Sequence, residues 1–324
     1  MVPERSRTRA APGALAPVLA ALVLAATACG NGAAAPGRRY SRTGPNEQSV
    51  GASTRPCGTR AAPPARYRHV IWIWMENHTV GQVIGSAGAP YETALAHDCG
   101  RAARYATVGR PSLPNYIGAT SGDVHRITDD APPRAHPLVS DNLFRQVRTA
   151  SLSEQSYEES MARHCEAGDN TGYIPSHNPE AYYVGGSDRA ACVANDVSLG
   201  TVHHGRFHDA LRFDRLPAFS FVTPNICSDT HNCPVEAGDQ WLAQWLRAIL
   251  SSRAYRSGTT AVFLVWDEPT PMPLLVIAPS VSPGTVARVP LDHYSLLRAT
   301  EEMLGLPLLG RAATASDLRP IFRV

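Results

Sequence analysis

Two acidic pairs stand where short apolar runs end: Glu76-Asn77 after His69 to Met75, and Asp267-Glu268 after Thr260 to Trp266. Hard oxygen donors of this kind suit a divalent cation, which neutralises phosphoryl charge and lowers the pKa of a nucleophile. A third apolar run ends at Thr223 and is soon followed by Asp229-Thr230-His231. Either acidic pair alone is more often a solvated strand end. Asp229 and His231 also lie inside the short Cys227 to Cys233 loop, where a polar disulfide loop accounts for them equally well. The shared position of all three groups, just past an apolar run, is what favours chemistry. The nucleophile candidate is Ser112 in Gly109-Arg110-Pro111-Ser112-Leu113-Pro114-Asn115-Tyr116, where two prolines stiffen the chain. A rigid turn with a solvent-facing serine is the alternative.

The elements that must position these residues follow from periodicity. His69 to Met75, Ala218 to Thr223, Thr260 to Trp266 and Leu274 to Ala278 are short, β-branched or aromatic runs that read as buried strands. Trp241, Leu242, Trp245, Leu246, Ile249 and Leu250 recur at helical spacing, as do Leu296, Leu297, Thr300, Met303 and Leu304. Strands alternating with helices imply an α/β fold with a mostly parallel central sheet sandwiched by helices. Ligands of such sheets bind beyond the carboxyl ends of the strands, which is where the acidic groups fall.

Composition excludes some chemistry. All thirty cationic residues are Arg, so neither a P-loop lysine nor a Schiff-base lysine exists in this chain. Formal net charge is only +2, so no overall basic field points to nucleic acid or to an acidic membrane surface.

Arg5, Arg7 and Arg9 precede the apolar run Ala14 to Ala26, and residues 1–28 read as a signal peptide. Ala28 before Cys29 also resembles a lipoprotein cleavage box, so Cys29 is a candidate for lipidation and membrane attachment, with ordinary secretion the alternative. Both place the chain outside the cytoplasm, in the extracellular space or cell envelope. Residues 29–65 are rich in Pro, Gly and Ala and read as a disordered tether, leaving residues 66–324 as one catalytic domain. Six further cysteines predict three disulfides. Of the 15 connectivities six cysteines allow, sequence proximity favours Cys57 with Cys99, Cys165 with Cys192, and Cys227 with Cys233. A cysteine metal site is the competing reading, without a C-x-x-C pair to support it.

The motif order HVIWIWMENHTVGQVIG, PSLPNYIGATSG, SHNPEAYY, SFVTPNICSDTHNC, AVFLVWDE and DHYSLLRATEEMLGLPLLG resembles the phosphoesterase family of the alkaline-phosphatase-like superfamily. That group contains acid phosphatases and phospholipases C, and the match is most like the small secreted acid phosphatases, some of which act on phosphoinositides. The resemblance implies Glu76, Asn77, Ser112, Asp267 and Glu268 as ligands of a divalent metal (Mg²⁺, Ca²⁺, Mn²⁺ or Zn²⁺), with Ser112 the nucleophile. It implies His231 and His293 as catalytic groups facing the phosphate. Asp229 and, more weakly, His177 and Asn178 join the same pocket as substrate-binding candidates, with Asn115 beside the serine.

The implied activity is an exported acid phosphatase acting on phosphomonoesters of small molecules or lipid headgroups through a phosphoseryl intermediate. A phospholipase C-type phosphodiesterase and a non-catalytic envelope binding protein are the competing readings. The resemblance departs after Glu268, where Pro269-Thr270-Pro271-Met272-Pro273 replaces a longer loop.

Overall fold

The computed structural model describes residues 55–324. The expected signal peptide, Cys29 and residues 29–54 of the expected tether lie outside the described residues. Ten strands occur among the described residues: β1 (His69–Met75), β2 (Gly100–Ala102), β3 (Tyr105–Ala106), β4 (Glu154–Glu158), β5 (Asp196–Ser198), β6 (Phe219–Thr223), β7 (Thr260–Trp266), β8 (Leu274–Ile277), β9 (Thr285–Ala287) and β10 (Leu291–Asp292). Eight form one sheet in the order β5-β4-β6-β1-β7-β8-β2-β9, and β3 pairs with β10 separately.

The mostly parallel sheet expected from the alternation of elements is present. β1 is its centre, parallel to β6 on one side and β7 on the other, with Ile71 beside both Ser220 and Val262. All seven residues of β7 and all but the first of β1 are buried, the pattern of strands covered on both faces. β8 is the exception, antiparallel to β7 and to β2. The reason lies in chain length: Asp267 to Pro273 is too short for the crossover of a dozen or more residues that a parallel return needs.

Helices cover the sheet as the periodicity predicts. Val235–Ser251 buries Trp241, Leu242, Trp245, Leu246 and Ile249. His293–Leu304 is started by Asp292, whose carboxylate accepts from the Ser295 N–H, and is stopped by Gly305 at φ 72°. Thr300 on that helix accepts a bond from the Trp72 indole at 2.9 Å, tying helix to central strand. Trp72 meets Phe219 edge-to-face with centroids 5.1 Å apart, so the middle of the core is aromatic.

The three disulfides are the pairs that sequence proximity favoured, which removes the cysteine metal reading. Residues 55–65 depart from the expected tether. Cys57 is buried and bridged to Cys99, Arg60 N donates to Pro279 O at 2.9 Å, and Tyr255 OH donates to Pro56 O at 2.6 Å. Composition misplaced this boundary because a covalent staple here does the work of apolar burial. No helix among the described residues is long and apolar enough to cross a membrane.

Candidate active site

Because β6, β1 and β7 are parallel neighbours, their carboxyl ends meet at one edge. Glu76 follows β1, Asp267 follows β7, and Asp229 lies in the loop beyond β6; all three are fully buried. Backbone bonds lock the three ends together, Glu76 N donating to Asp229 O at 2.8 Å and Asp267 N to Met75 O at 3.1 Å. Asn77 turns into the left-handed region at φ 63°, which an asparagine tolerates, and this aims its N–H at Asp267 Oδ1, 3.0 Å away. Its side-chain amide donates to Glu76 Oε2 at 3.2 Å.

Ser112 opens the Ser112–Ser121 helix and donates to the same Glu76 oxygen at 3.2 Å. One turn later, Tyr116 donates to the other Glu76 oxygen at 2.5 Å, and its ring lies parallel to that of His177 with centroids 5.4 Å apart. His177 sits between carboxylates, its Nδ1 3.2 Å from Asp229 Oδ2 and its Nε2 3.5 Å from Glu76 Oε1. His231 is exposed at the mouth; its backbone N–H donates to Asp229 Oδ1 at 2.7 Å. One ligand atom each from Glu76, His177 and His231 lie within 4.8 Å of one another.

The electrostatics of this edge are those of crowded, dehydrated acids. Burial raises the pKa of Glu76 well above the usual carboxylate range; Asp267 and Asp229 add to the effect, and hydrogen bonds from Tyr116 and Ser112 oppose it. Burial likewise pushes Asp267 up to about 6, against the stabilising Asn77 N–H. Half-buried Glu268 is raised by its own burial and held back by Arg110. Asp267 Oδ2 and Glu268 Oε2 are buried without a hydrogen-bond partner. Orphaned carboxylate oxygens are costly unless something positive meets them, so the donor set fits a hard divalent cation.

Three expected site residues do other work. His293 is fully buried behind Asp267, accepting from Tyr105 OH on Nδ1 at 3.0 Å and directing Nε2 at the Asp267 carbonyl, also 3.0 Å away. A carbonyl only accepts, so Nε2 carries a proton; burial lowers the ring's pKa to about 4, which favours the neutral form with Nδ1 as acceptor. The resemblance implies that His293 faces the phosphate, whereas here both its nitrogens are engaged in orienting the strand end. Asn178 is also buried elsewhere, donating to Asp196 Oδ2 at 2.8 Å and to Tyr173 OH at 3.0 Å. Asn115 points back at its own loop: its Oδ1 accepts from the N–H groups of Val108 and Gly109, both at 2.9 Å, and its Nδ2 donates to Pro111 O at 3.2 Å. These bonds shape the turn that presents Ser112.

Tyr116 was not anticipated, although its place four residues after Ser112 puts it on the same helical face. Thr230, also unanticipated, donates through Oγ1 to the Glu76 carbonyl at 2.8 Å. The proline-rich link after Glu268 docks on the serine loop: Thr107 N donates to Thr270 Oγ1 at 2.9 Å and Met272 N to Tyr105 O at 3.1 Å. The short link thus braces the nucleophile's support.

A mostly parallel sheet with this cluster at its carboxyl edge is the framework of a phosphoric ester hydrolase with the alkaline-phosphatase-like fold. Among solved structures, a protein of the alkaline phosphatase superfamily from Vibrio parahaemolyticus is similar at a TM-score of 0.55 and 13% identity, over 82% of this chain and 74% of that one. The lipoteichoic acid synthase LtaP from Listeria monocytogenes gives 0.54 and 9%, over 80% and 77%. At such identities the likeness is one of fold alone.

The family model of the Phosphoesterase family matches residues 86–271, more than half of the chain, and the chain belongs to that family. It is 25% identical to a phosphatidylinositol-3-phosphatase of Mycobacterium tuberculosis (strain ATCC 25618 / H37Rv), over 82% of this chain and 86% of the relative. It is 26% identical to a probable acid phosphatase of Kluyveromyces lactis, over 76% of this chain and 60% of the relative. Identity to a phosphate-repressible acid phosphatase of Penicillium chrysogenum is 27%, over 66% of this chain and 54% of the relative. The chain therefore spans little more than half the length of these fungal relatives.

Proposed function

We propose that this chain is an exported, metal-dependent acid phosphatase that hydrolyses phosphomonoesters through a phosphoseryl intermediate on Ser112. The observation that carries the reading is Ser112 Oγ donating to a fully buried Glu76 at 3.2 Å, on the sheet edge where Asp267 keeps an unpartnered oxygen. The acid phosphatase and phosphatidylinositol-3-phosphatase relatives support the substrate class, and phosphoinositide headgroups are candidate substrates. Three disulfides support export to an oxidising compartment.

Glu76, Asp267 and Ser112, with Asn77 and Glu268 beside them, would hold the cation, one of Mg²⁺, Ca²⁺, Mn²⁺ or Zn²⁺. When bound it supplies charge neutralisation of the phosphoryl oxygens and a lowered pKa for the serine hydroxyl. Ser112 Oγ attacks phosphorus, its proton already directed at Glu76 Oε2; the Oγ–P bond forms as the bond from phosphorus to the leaving oxygen breaks. His231, at the mouth, is placed to give that oxygen a proton. His177, fixed between Glu76 and Asp229, lines the phosphate's approach. Water then attacks the phosphoserine, releasing phosphate and restoring the hydroxyl.

The test is nitrophenyl phosphate and bis(nitrophenyl) phosphate turnover across a series of divalent cations, with Ser112→Ala alongside. The reading requires monoester hydrolysis that needs metal, disappears with Ser112→Ala, and leaves phosphate on the Ser112 peptide after acid quench of the parent protein. Retained turnover in Ser112→Ala would remove the nucleophile assignment. Faster cleavage of the bis-ester would indicate a phospholipase C-type phosphodiesterase, and no cleavage with any cation a binding protein.

A further inference from the structure

The strands that end in acids begin next to arginines. Arg68 immediately precedes β1, Arg212 and Arg215 precede β6, and Arg253 and Arg256 precede β7; all five are exposed. Arg68 N donates to Thr259 O at 2.9 Å and Val70 N to Ala218 O at 2.8 Å, so these segments share the amino-end edge of the sheet. Two hollows of about 700 and 400 Å³ open there, sharing Ser251 and Arg256, and the larger is bordered by Arg55, Arg60 and Arg247 as well. The acids nearby are few: Asp98 borders the larger hollow, Asp209 is exposed next to the smaller one, and Asp214 is engaged by Arg253 at 3.5 Å.

Phe213 supplies the apolar element. It is 53% exposed, with the guanidinium carbons of Arg212 and Arg215 at 5.3 and 5.9 Å from its ring centroid. An exposed aromatic ring among arginines can sit at the headgroup level of a bilayer while the arginines meet anionic phosphates. Charge alone would equally serve a soluble polyanion; the ring favours lipid.

We propose that this amino-end edge docks on an anionic lipid surface and turns the Ser112 edge away from it. The proposal rests on the reading of the carboxyl edge as catalytic. Strands such as β1 and β7, at about 3.3 Å per residue, set the two edges on the order of 20 Å apart. Ser112 then meets phosphoesters arriving from solution or on an opposing surface, not headgroups of the bilayer on which the protein rests.

The experiment compares the full chain on vesicles of phosphatidylcholine with and without phosphatidylglycerol. Apolar contact alone binds both, so the readout is the preference between them. The parent protein is expected to prefer the anionic vesicles by about tenfold or more, an excess that high salt removes. The combined variant Arg212→Glu, Arg215→Glu, Arg247→Glu and Arg256→Glu is expected to lose the preference while turning over nitrophenyl phosphate in solution at the parent rate. Phe213→Ser, a single exposed change, is expected to weaken binding several-fold without altering salt sensitivity, and serves if the quadruple variant misfolds. Phosphoinositide in the docking vesicle is expected to be a poorer substrate than the same headgroup free in solution.

Equal binding to both vesicle types, or an undiminished preference in both variants, would overturn the proposal, as would binding to DNA or polyphosphate without vesicle binding. Vesicle preference in a protein that cleaves no phosphoester would leave the docking surface standing and remove the catalytic reading.

Discussion

The Tyr116 hydroxyl donates to Glu76 Oε1 at 2.5 Å while Ser112, one helical turn earlier, donates to Glu76 Oε2. One carboxylate thus receives two donors from one helix face, and burial keeps the phenol protonated by raising its pKa. Tyr116→Phe removes a bond to an ionisable group, worth roughly 1.5–3 kcal/mol. The expected result is kcat lower by about tenfold to a hundredfold, KM little changed, and the ionisation that governs activity displaced to higher pH as Glu76 loses a stabilising donor. An unchanged pH profile would mean that the pair only packs.

His231 and His293 should separate cleanly. His231→Ala is expected to lower kcat on nitrophenyl phosphate and to abolish any decline in rate caused by loss of a histidine proton. A leaving group that is already acidic should show the smaller loss. His293→Asn is expected to keep the shape of the pH profile and instead to lower stability by about 1–3 kcal/mol, because two buried bonds to Tyr105 and Asp267 are disturbed. Thermal melts alongside the rate profiles distinguish these outcomes.

The donor set makes a prediction that does not depend on turnover. A cation that binds only the folded state stabilises it in proportion to the logarithm of its concentration, by about 2.7 kcal/mol at a hundred times Kd. Melting temperature should rise with added divalent cation and fall with chelator. Asp267→Asn, which weakens the oxygen left without a partner, should flatten that response. A melting curve indifferent to both additions would argue against the metal.

Stability should fall with rising pH. Asp196 is fully buried, and burial raises its carboxyl to about 8 in the folded protein against about 3.9 unfolded. Below about 4 both states hold the proton. Between the two values only the unfolded chain gives it up, so folding becomes less favourable at every step until the folded group titrates. Urea midpoints are expected to decline from pH 5 to pH 8, and Asp196→Asn to reduce the decline. A midpoint that climbs over this range would show that other groups dominate.

The sequence alone pointed to four of the buried strands and the two long helices that cover the sheet, to the edge on which the acids fall, and, by proximity, to the disulfide pairs that the structure contains. These are local or periodic properties: an apolar run declares a buried strand, and a residue just past it must emerge at a strand end. What a side chain does at that edge is not local. Tertiary packing decided that His293 is a neutral brace, that Asn115 and Asn178 look inward, and that Tyr116 and His177 close on Glu76. Each depends on partners far along the chain, as with Tyr105 to His293 or His177 to Asp229. Net charge is uninformative for the same reason. A sum of +2 concealed acids gathered at one end of the central strands and arginines at the other, because only a parallel sheet sorts strand beginnings from strand ends in space.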